Sequence, residues 1–423
     1  MDADFNVRCP TIMHLDLNSC FASIEQQANP FLRYKPIAVA AYDSPGGCIL
    51  APSLEAKTFG IKTGMRVSEA KLLYPHLVVL TPDPDKYRHV HLKFRNILKD
   101  YVSNVVPKSI DEFVLDFEGH PSLARGLLKV GAEIKRRIKE EIGDWLTVSV
   151  GISTNRYLAK IGAGLTKPDG LDEINATNHK KIFAKLGLTD LTGIKDANAF
   201  RLNRHGIFTV LDFYNANPMV LQQAFHAVTG YYWYMRLRGW EVDNMPSQRR
   251  SYGNSVALGK KHITPRELAP VLAHLVEKTS ARMRAGGYCA KGVHLSLSYK
   301  KAQGHLGGGY WHRGLTTKRI LFSATDIYNV AYHMLLEAPH TLPIHIIAVT
   351  CFDLCQEEHV QLDLLSHTLK KRSLTFAQDK INDKWGDFVL KSARMLVQHS
   401  PVKDRIAFGG VRELDGVMSL TGE

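Results

Sequence analysis

Three acidic residues stand beside predicted strands at positions where their carboxylates can act together. Asp16 lies near the end of the apolar run 11–17, and Asp111 with Glu112 opens a second apolar run after the turn 107–109. Neighbouring residues of a regular strand point to opposite faces. Both Asp111 and Glu112 therefore reach one cluster only if the chain bends there, and the turn predicts that bend.

Three clustered carboxylates predict a site for divalent cations. Such groups repel each other unless cations neutralise them, and oxygen ligands select hard ions such as Mg²⁺. Two such ions about 4 Å apart stabilise the attacking and leaving oxygens of a phosphoryl transfer. From residue types alone, the alternative is that these acids are surface residues at strand ends. Asp116, further along its strand, is interpreted as structural.

The elements that must position the acids alternate between strands and helices. Their order, β-α-β-β-α-β, is typical of a split βαβ sheet with an insertion at about 28–82. The predicted strands are 11–17, 36–42, 48–51, 105–106, 113–117 and 146–152. The predicted helices are 19–27, 53–59, 85–102 and 123–142.

Short helical patterns broken by Gly and Asn follow at 173–245. Gly193 and Lys195 lie in one turn, and Gly206 follows thirteen residues after Gly193. This pattern favours a helix-hairpin-helix unit, whose turn amides can receive a phosphate. A plain helical hairpin is the alternative.

Almost all of the excess positive charge lies in one segment. The formal net charge is +13, and residues 246–320 hold fourteen Lys and Arg against two acids. A block of one sign is typical of proteins with a polyanionic partner, and nucleic acid is the expected one. Strands at 255–258, 292–299, 315–322 and 344–354, with helices at 265–285 and 325–337, predict a four-stranded sheet with two helices. Further helices are expected at 373–385 and 388–398.

The composition excludes several classes of protein. The chain has 423 residues with 45% hydrophobic and 22% charged residues, typical of a folded protein with two to four domains. It has no run of eighteen apolar residues, so no membrane span is expected. The N-terminus does not resemble a secretory signal, and the six scattered cysteines suit a reducing compartment. We therefore expect a cytoplasmic protein.

Several motifs resemble those of the Y-family, the translesion DNA polymerases. Residues 14–25 resemble the first motif of that family, and Ser-Ile-Asp-Glu at 109–112 resembles the second. Residues 55–61 resemble its fingers helix and 155–170 its third palm motif. The resemblance continues to residues 405–409 and so covers nearly the whole chain.

The resemblance implies an α+β right-hand polymerase. Its parts are a split βαβ (ferredoxin-like) palm, small fingers, a helical thumb with the helix-hairpin-helix, and an α/β little-finger domain. The implied division is 1–27 and 83–172 for the palm, 28–82 for the fingers, 173–245 for the thumb, 246–355 for the little finger and 356–423 for a C-terminal segment.

The resemblance also assigns roles at the acidic site. Asp16, Asp111, Glu112 and the backbone carbonyl of Leu17 would hold two Mg²⁺ ions, with Mn²⁺ as a possible substitute. Phe21 falls at the steric gate, where an aromatic ring clashes with a ribose 2′-hydroxyl. From residue type alone, Phe21 is instead a core side chain on a helix.

The implied nucleotide-binding residues are Asn18, Cys20, Phe21, Lys57 and Lys167. Lysine neutralises phosphate charge only as a point charge. Many relatives carry an Arg at the position of Lys57, a Tyr at that of Leu54 and several a Thr at that of Ala51. The resemblance therefore implies fewer side-chain hydrogen bonds to the triphosphate here than in many relatives.

The implied partners are primer-template DNA, deoxynucleoside triphosphates and a sliding clamp. The candidate DNA-binding residues are Gly193, Lys195, Gly206, Arg249, Arg250, Lys300, Lys301, Lys318 and Arg319. The candidate clamp-binding residues are Gln361, Leu362, Leu364 and Leu365, from a segment that resembles the bacterial clamp-binding peptide. A chance amphipathic match is the alternative for that short segment.

The expected function is template-directed DNA synthesis of low fidelity, since the predicted elements leave no segment for a proofreading domain. The alternative is a non-catalytic DNA- and clamp-binding scaffold of the same family. Such members tend to lose the acids, whereas all three are present here. Another palm enzyme, such as a nucleotidyl cyclase, would not need the basic segment.

Overall fold

A computed structural model describes residues 3–244, 249–262, 264–299, 309–359, 368–386 and 388–396. These residues form two compact units, the first ending at 244 and the second beginning at 249. No helix of the described part combines the length and the apolar character needed to cross a bilayer.

Strands and helices are numbered along the chain. The strands are β1 (Ile12–Leu17), β2 (Ile37–Ala40), β3 (Ile49–Pro52), β4 (Val78–Leu80), β5 (Val105–Pro107), β6 (Glu112–Asp116), β7 (Val148–Ser153), β8 (Leu171–Glu173), β9 (Ser251–His262), β10 (Tyr288–Tyr299), β11 (Tyr310–Leu321) and β12 (Ile344–Gln356). The helices are α1 (Cys20–Ala28), α2 (Leu54–Thr58), α3 (Val67–Leu73), α4 (Pro84–Lys99), α5 (Leu127–Glu141), α6 (Arg156–Leu165), α7 (His179–Phe183), α8 (Asp196–Asn203), α9 (Val210–Asn215), α10 (Pro218–Phe225), α11 (Thr229–Leu237), α12 (Pro265–Ala285), α13 (Ala324–Glu337) and α14 (Thr368–Trp385).

The central sheet of the first unit has the order β5-β6-β1-β7-β8. β1 lies between β6 and β7 and is antiparallel to both, as a split βαβ sheet requires. The predicted ferredoxin-like order is therefore confirmed, with β8 added parallel to β7. The central strands β1 and β6 are buried because α4 and α5 pack on the sheet and share its hydrophobic core.

Local signals explain where the palm helices begin. The side chain of Asp83 accepts a hydrogen bond from the amide of Lys86, and Pro84 occupies the first helical position of α4. Asn155 caps α6 in the same way, since its side-chain oxygen accepts from the amide of Leu158 at 2.8 Å. These caps fix where α4 and α6 begin. Both helices carry side chains that lie at or near the candidate site.

The insertion between α1 and α4 forms its own small sheet, with the order β3-β2-β4. Ser53 caps α2 through the amide of Ala56, and Gly60 follows the helix at φ +80°, the left-handed conformation that ends many helices. The predicted helix and its glycine stop are confirmed. The strand β4 was not predicted, because three apolar residues give too short a pattern.

Five short helices, α7 to α11, complete the first unit around a separate core. Gly193 adopts φ +93° in the turn before α8, and a Cβ there would lie 3.2 Å from the ring of Trp233. Glycine at this position is therefore favoured by the left-handed backbone, and a Cβ would also crowd the ring of Trp233. Gly206, at φ +75°, makes the turn after α8.

The second unit is a four-stranded antiparallel sheet with the order β11-β10-β12-β9, covered on one face by α12 and α13. This arrangement confirms the predicted sheet with two helices. The C-terminal helix α14 docks on this unit through Asp379. The Asp379 carboxylate accepts two hydrogen bonds from the buried guanidinium of Arg284, at 2.6 and 2.7 Å.

One C-terminal helix prediction was wrong. Residues 388–396 hold only a short 3-10 turn, Ala393–Met395, where a helix was expected. Phe388 adopts φ +65°, outside the right-handed helical region, and its ring packs edge-on against His274. Met395 is buried against the same core. Phe388 and Met395 therefore serve as packing points of an irregular chain, whereas Val389, Leu390 and Leu396 are exposed.

Candidate active site

The three acids lie at one end of the two central strands. The register of β1 and β6 places Asp16 directly opposite Glu112. The amide of Leu17 donates to the carbonyl oxygen of Asp111 at 2.9 Å, which ties Asp111 to the same end. The amide of Lys108 donates to the carbonyl oxygen of Glu112 at 2.9 Å and closes the turn before β6. The predicted turn is therefore present.

The electrostatics of the carboxylates reflect their proximity. Burial raises the pKa of Asp16, against the lowering effect of Lys167. Burial also raises the pKa of Asp111, and the charges of Asp16 and Glu112 add to that rise. Ser109 opposes it by donating to Asp111 Oδ1 at 2.5 Å. Acids that disfavour one another's ionisation gain most from a neutralising cation.

Two lysines neutralise these carboxylates in the structure. Lys167 donates to Asp16 Oδ2 at 2.5 Å, and Lys160 donates to both oxygens of Glu112 at 2.7 and 2.8 Å. Among the described residues, no group of three or more Asp, Glu, His or Cys side chains is arranged so that it could hold a metal ion. The donor set is nevertheless made of carboxylate oxygens that attract cations, which is the chemistry that a hard divalent ion requires.

His14 lies beneath this site and was missed by the sequence analysis. It is 2% exposed, and its Nε2 is 3.7 Å from Glu112 Oε2. Burial, together with the charges of Lys160, Lys167 and Lys108, lowers its pKa to about 3. His14 is therefore neutral at physiological pH. A histidine within an apolar strand next to the first acid was the available signal.

Phe21 has a fixed position beside the acids. It is 1% exposed, and its ring stacks on Tyr87 with centroids 4.3 Å apart. The Tyr87 hydroxyl donates to Glu25 Oε1 at 2.9 Å, and Lys86 donates to Glu25 Oε2 at 2.9 Å. The support for Phe21 by Tyr87 and Glu25 was also missed, since α1 and α4 are joined only through a long insertion.

The candidate nucleotide-binding residues differ in their surroundings. Lys57 and Lys167 share one region, because the charge of Lys167 adds to desolvation in lowering the pKa of Lys57. Asn18 is buried, and its side chain bonds to Ser149 and accepts from the amide of Asp169 at 2.8 Å. Its side chain is thus engaged within the protein.

Cys20 begins α1 and is 4% exposed. Burial raises the pKa of its thiol, and the charges of Asp111 and Asp16 add to the rise. The thiol is therefore protonated beside the acids. The group of Cys20 that can meet an anion is then its backbone amide, since the first amides of a helix have no partner within it.

The candidate DNA-contacting residues are spread over both units. Gly193, Lys195 and Gly206 are exposed in the first unit. In the second unit Arg250, Lys318 and Arg319 are exposed, whereas Arg249 lies over the ring of Tyr252 at 4.1 Å. Lys300, Lys301 and the clamp-like residues Gln361, Leu362, Leu364 and Leu365 lie outside the described residues.

Solved structures with this fold are right-hand DNA polymerases. A chimera of the Y-family DNA polymerases Dbh and Dpo4 aligns with a TM-score of 0.71 at 22% identity, over 82% of this chain and 99% of that one. An insertion ternary complex of Dbh DNA polymerase aligns with a TM-score of 0.56 at 21% identity, over the same shares of the two chains. The fold of this chain is thus that of the right-hand class.

Sequence comparisons define the family. The profile of the impB/mucB/samB family matches residues 15–164, and that of its C-terminal domain matches residues 249–364. DNA polymerase IV of Pelotomaculum thermopropionicum is 32% identical over 94% of this chain and 98% of that protein. DNA polymerase IV of Moorella thermoacetica is 33% identical over 90% and 95%, respectively.

The chain therefore belongs to the impB/mucB/samB family, the Y-family of DNA polymerases. It is a DNA-directed DNA polymerase of the translesion type, as the resemblance predicted. Polymerases of this family are metal-dependent and act on DNA and nucleotides.

Proposed function

We propose that Asp16, Asp111, Glu112 and the carbonyl oxygen of Leu17 hold two Mg²⁺ ions for the addition of deoxynucleotides to a primer 3′ end. The observation that carries this proposal is the register of β1 and β6, which sets two of the acids opposite each other and the third beside them. Mn²⁺ is the expected substitute, because it accepts the same oxygen ligands. Bound ions would neutralise charge on the attacking and leaving oxygens.

The lysines have separate tasks in this proposal. Lys167 and Lys57 bind the triphosphate. Lys167 then exchanges its ion pair with Asp16 for one with the triphosphate. Lys160 holds both oxygens of Glu112 and so fixes the direction of that carboxylate. The first amide of α1, at Cys20, adds a donor for the same phosphates.

Phe21 is the proposed steric gate. Its ring cannot swing aside easily, since it is buried and stacked on Tyr87, which is itself hydrogen-bonded to Glu25. A ribose 2′-hydroxyl that meets this ring would have to displace packed atoms, and protein interiors resist such displacement. The enzyme is therefore expected to prefer deoxynucleotides.

The grip on DNA is assigned to two parts of the chain, each considered by itself. The turns at Gly193 and Gly206, together with Lys195, contact the phosphate backbone from residues 173–245, the proposed thumb. The basic residues Arg249, Arg250, Lys300, Lys301, Lys318 and Arg319 do so from residues 246–355, the proposed little finger. These contacts fix position without reading sequence, as a polymerase for any template requires.

The remaining divisions and partners complete the proposal. Residues 1–27 and 83–172 form the palm and 28–82 the fingers. Residues 356–423 carry the clamp-binding peptide, and the protein acts in the cytoplasm. Tethering to a clamp raises the effective concentration of a weakly held polymerase at the primer end.

Primer extension with metal removal tests the central proposal. Purified protein with Mg²⁺ should add the nucleotide that the template specifies to a labelled primer, because the acids can then share two cations. A chelator should abolish extension, and excess Mg²⁺ should restore it. Binding of the duplex without extension in either Mg²⁺ or Mn²⁺ would favour the non-catalytic scaffold.

Replacing Gln361, Leu362, Leu364 and Leu365 by alanine tests the clamp contact. The variant should extend a short primed oligonucleotide like the parent but lose stimulation by the clamp on a long circular template. The control is Leu374→Ala, which removes an exposed leucine of α14 that is 70% accessible. Equal stimulation of the quadruple variant and the parent would remove this segment from the role.

A further inference from the structure

Two histidines meet on the sheet of the second unit and have no role in the contacts described above. His294 lies on β10 and His312 on β11, with His294 Nε2 at 3.2 Å from His312 Nδ1. The register pairs His294 with Gly314 and His312 with Ser296, so the two rings are diagonal neighbours on one face. At this distance one ring nitrogen donates a hydrogen bond to the other.

The face that carries them is the one that α12 and α13 leave uncovered. Val293 and Leu295, which alternate with His294 along β10, are fully buried in the core shared with those helices. His294 is half-buried, and His312 is exposed. The pair is therefore accessible from the open side of the sheet.

The residues around the pair are small or uncharged. Thr350 of β12 lies opposite His294, and Ser296 lies opposite His312. The ring of Tyr310 is 5.4 Å from that of His312. Such a surface lets an extended polymer approach closely, and it presents hydroxyl donors beside the two imidazoles.

Charged groups near the pair are directed elsewhere. Arg313 follows His312 along β11 but lies opposite Leu295, on the helix-covered face, where it pairs with Glu337 of α13. The pKa of His294 is lowered by burial and then by the charge of His312. Both effects favour the neutral form of His294 in the free protein.

The proton count of the pair decides how it meets an anion. Two neutral imidazoles carry two ring protons on four nitrogens, and one of these protons lies in the bond between the rings. Of the two remaining nitrogens, one then carries a proton and the other a lone pair, which repels an anion. Adding one proton makes both remaining nitrogens donors and gives the pair a charge of +1.

We propose that the His294–His312 pair is a proton-operated contact to the phosphate backbone of DNA, which takes up one proton when the open face of this sheet binds DNA. The inference rests on the proposed function, in which residues 246–355 grip DNA. The permanent charges of Lys318 and Arg319 bring the polyanion to this unit. The histidine pair adds a contact whose strength depends on pH.

The sign of the effect follows from the linkage between binding and protonation. A phosphate beside the pair favours its charged form, so the pKa of the pair is higher in the complex than in the free protein. Affinity for DNA therefore increases as the pH falls through the bound pKa and stops increasing below the free pKa. Above both values the contact contributes nothing.

Fluorescence anisotropy with a labelled primer-template duplex measures this effect. The whole protein is titrated between about pH 6 and about pH 8 at constant ionic strength, with a chelator present so that no metal ion bridges the imidazoles. The parent should bind about tenfold more tightly at the lower pH, the scale of one charge-assisted hydrogen bond. The double variant His294→Gln/His312→Gln, which keeps polar side chains but cannot take up the proton, should lose most of that change.

Two control variants separate this effect from general changes in charge. His333→Gln removes an exposed histidine of α13, on the helix side of the sheet, and should keep the pH dependence of the parent. Arg319→Gln removes a permanent charge, so it should weaken binding at every pH and reduce the salt dependence, with the pH dependence unchanged.

The outcomes distinguish this inference from the proposed function. A parent protein that binds DNA with the same affinity across the pH range overturns the inference alone. The same conclusion follows if the double variant keeps the full pH dependence of the parent. If the parent does not bind the duplex at any pH, the DNA grip assigned to this unit fails, and the inference fails with it.

Discussion

The variant Asp111→Asn is expected to lower the rate of primer extension on the order of a thousandfold or more. Asparagine keeps the shape of the side chain but removes the charge that would hold a divalent cation, and losing one preorganised electrostatic group costs at least about a hundredfold. Among the described residues, the side-chain donor to Asp111 is Ser109 rather than a lysine. The substitution should therefore leave the fold intact.

The matched control is Asp116→Asn, at the other end of the same strand. Asp116 accepts from the amide of Glu118 at 3.1 Å and lies 3.6 Å from Arg156 of α6, so its two contacts are with residues other than the candidate metal ligands. This variant should extend primers like the parent. Duplex affinity, measured by anisotropy, should be unchanged in both variants. Extension by Asp111→Asn at the parent rate would contradict the metal assignment.

The positions of the acids along the chain show why they could be found from the sequence. Asp16 and Asp111–Glu112 each lie at the end of an apolar run, and the ends of two neighbouring antiparallel strands meet at one edge of a sheet. The turn before β6 explains how adjacent acids reach the same end. Asp116 is the last residue of β6, at the opposite end of the strand from Glu112, and its interpretation as structural stays a prediction.

The partners of these acids were beyond a reading of local patterns. Lys160 reaches Glu112 from a helix 48 residues away, and Lys167 reaches Asp16 across 151 residues. Such contacts depend on the packing of α6 on the sheet, which periodicity along the chain does not define. The motif resemblance marked both lysines as part of one region but did not say which acid each one meets.

Local sequence patterns also predicted only part of the fold. Long elements with clear periodicity, such as α4, α5 and α12, were predicted within a few residues, whereas β4 and β8 have three residues each and were not. Short strands exist because neighbouring strands supply their hydrogen bonds. That information lies elsewhere in the sequence.

The surroundings of Lys57 and Lys167 bear on the lysine at position 57, where many members of the family have an arginine. Two lysines close enough for one to lower the pKa of the other form a site that gains from an anion. Arginine would add a planar fork of donors, which lysine lacks. In the proposed function the two lysines would therefore supply charge to the triphosphate, and the amide at the start of α1 would supply direction.

The second large effect concerns the choice of sugar. The variant Phe21→Leu is expected to raise the incorporation of ribonucleotides relative to deoxynucleotides by about a hundredfold, the scale on which a pocket can reject an added hydroxyl. Leucine keeps an apolar side chain in the core but removes the flat ring that is proposed to meet the sugar. Single-nucleotide insertion with each nucleotide in turn measures this ratio.

A core role for Phe21 would give a different pattern, and the stacked Tyr87 offers the control. Tyr87→Phe removes the hydrogen bond to Glu25 but keeps the ring against which Phe21 packs. If the gate is the Phe21 ring itself, Tyr87→Phe should keep most of the sugar discrimination, and Phe21→Leu should lose it without losing deoxynucleotide insertion. If Phe21 only stabilises the core, Phe21→Leu should lower the thermal midpoint and the insertion of both nucleotides together, with their ratio unchanged. An unchanged ratio would therefore remove Phe21 from the gate even if the variant proved less stable.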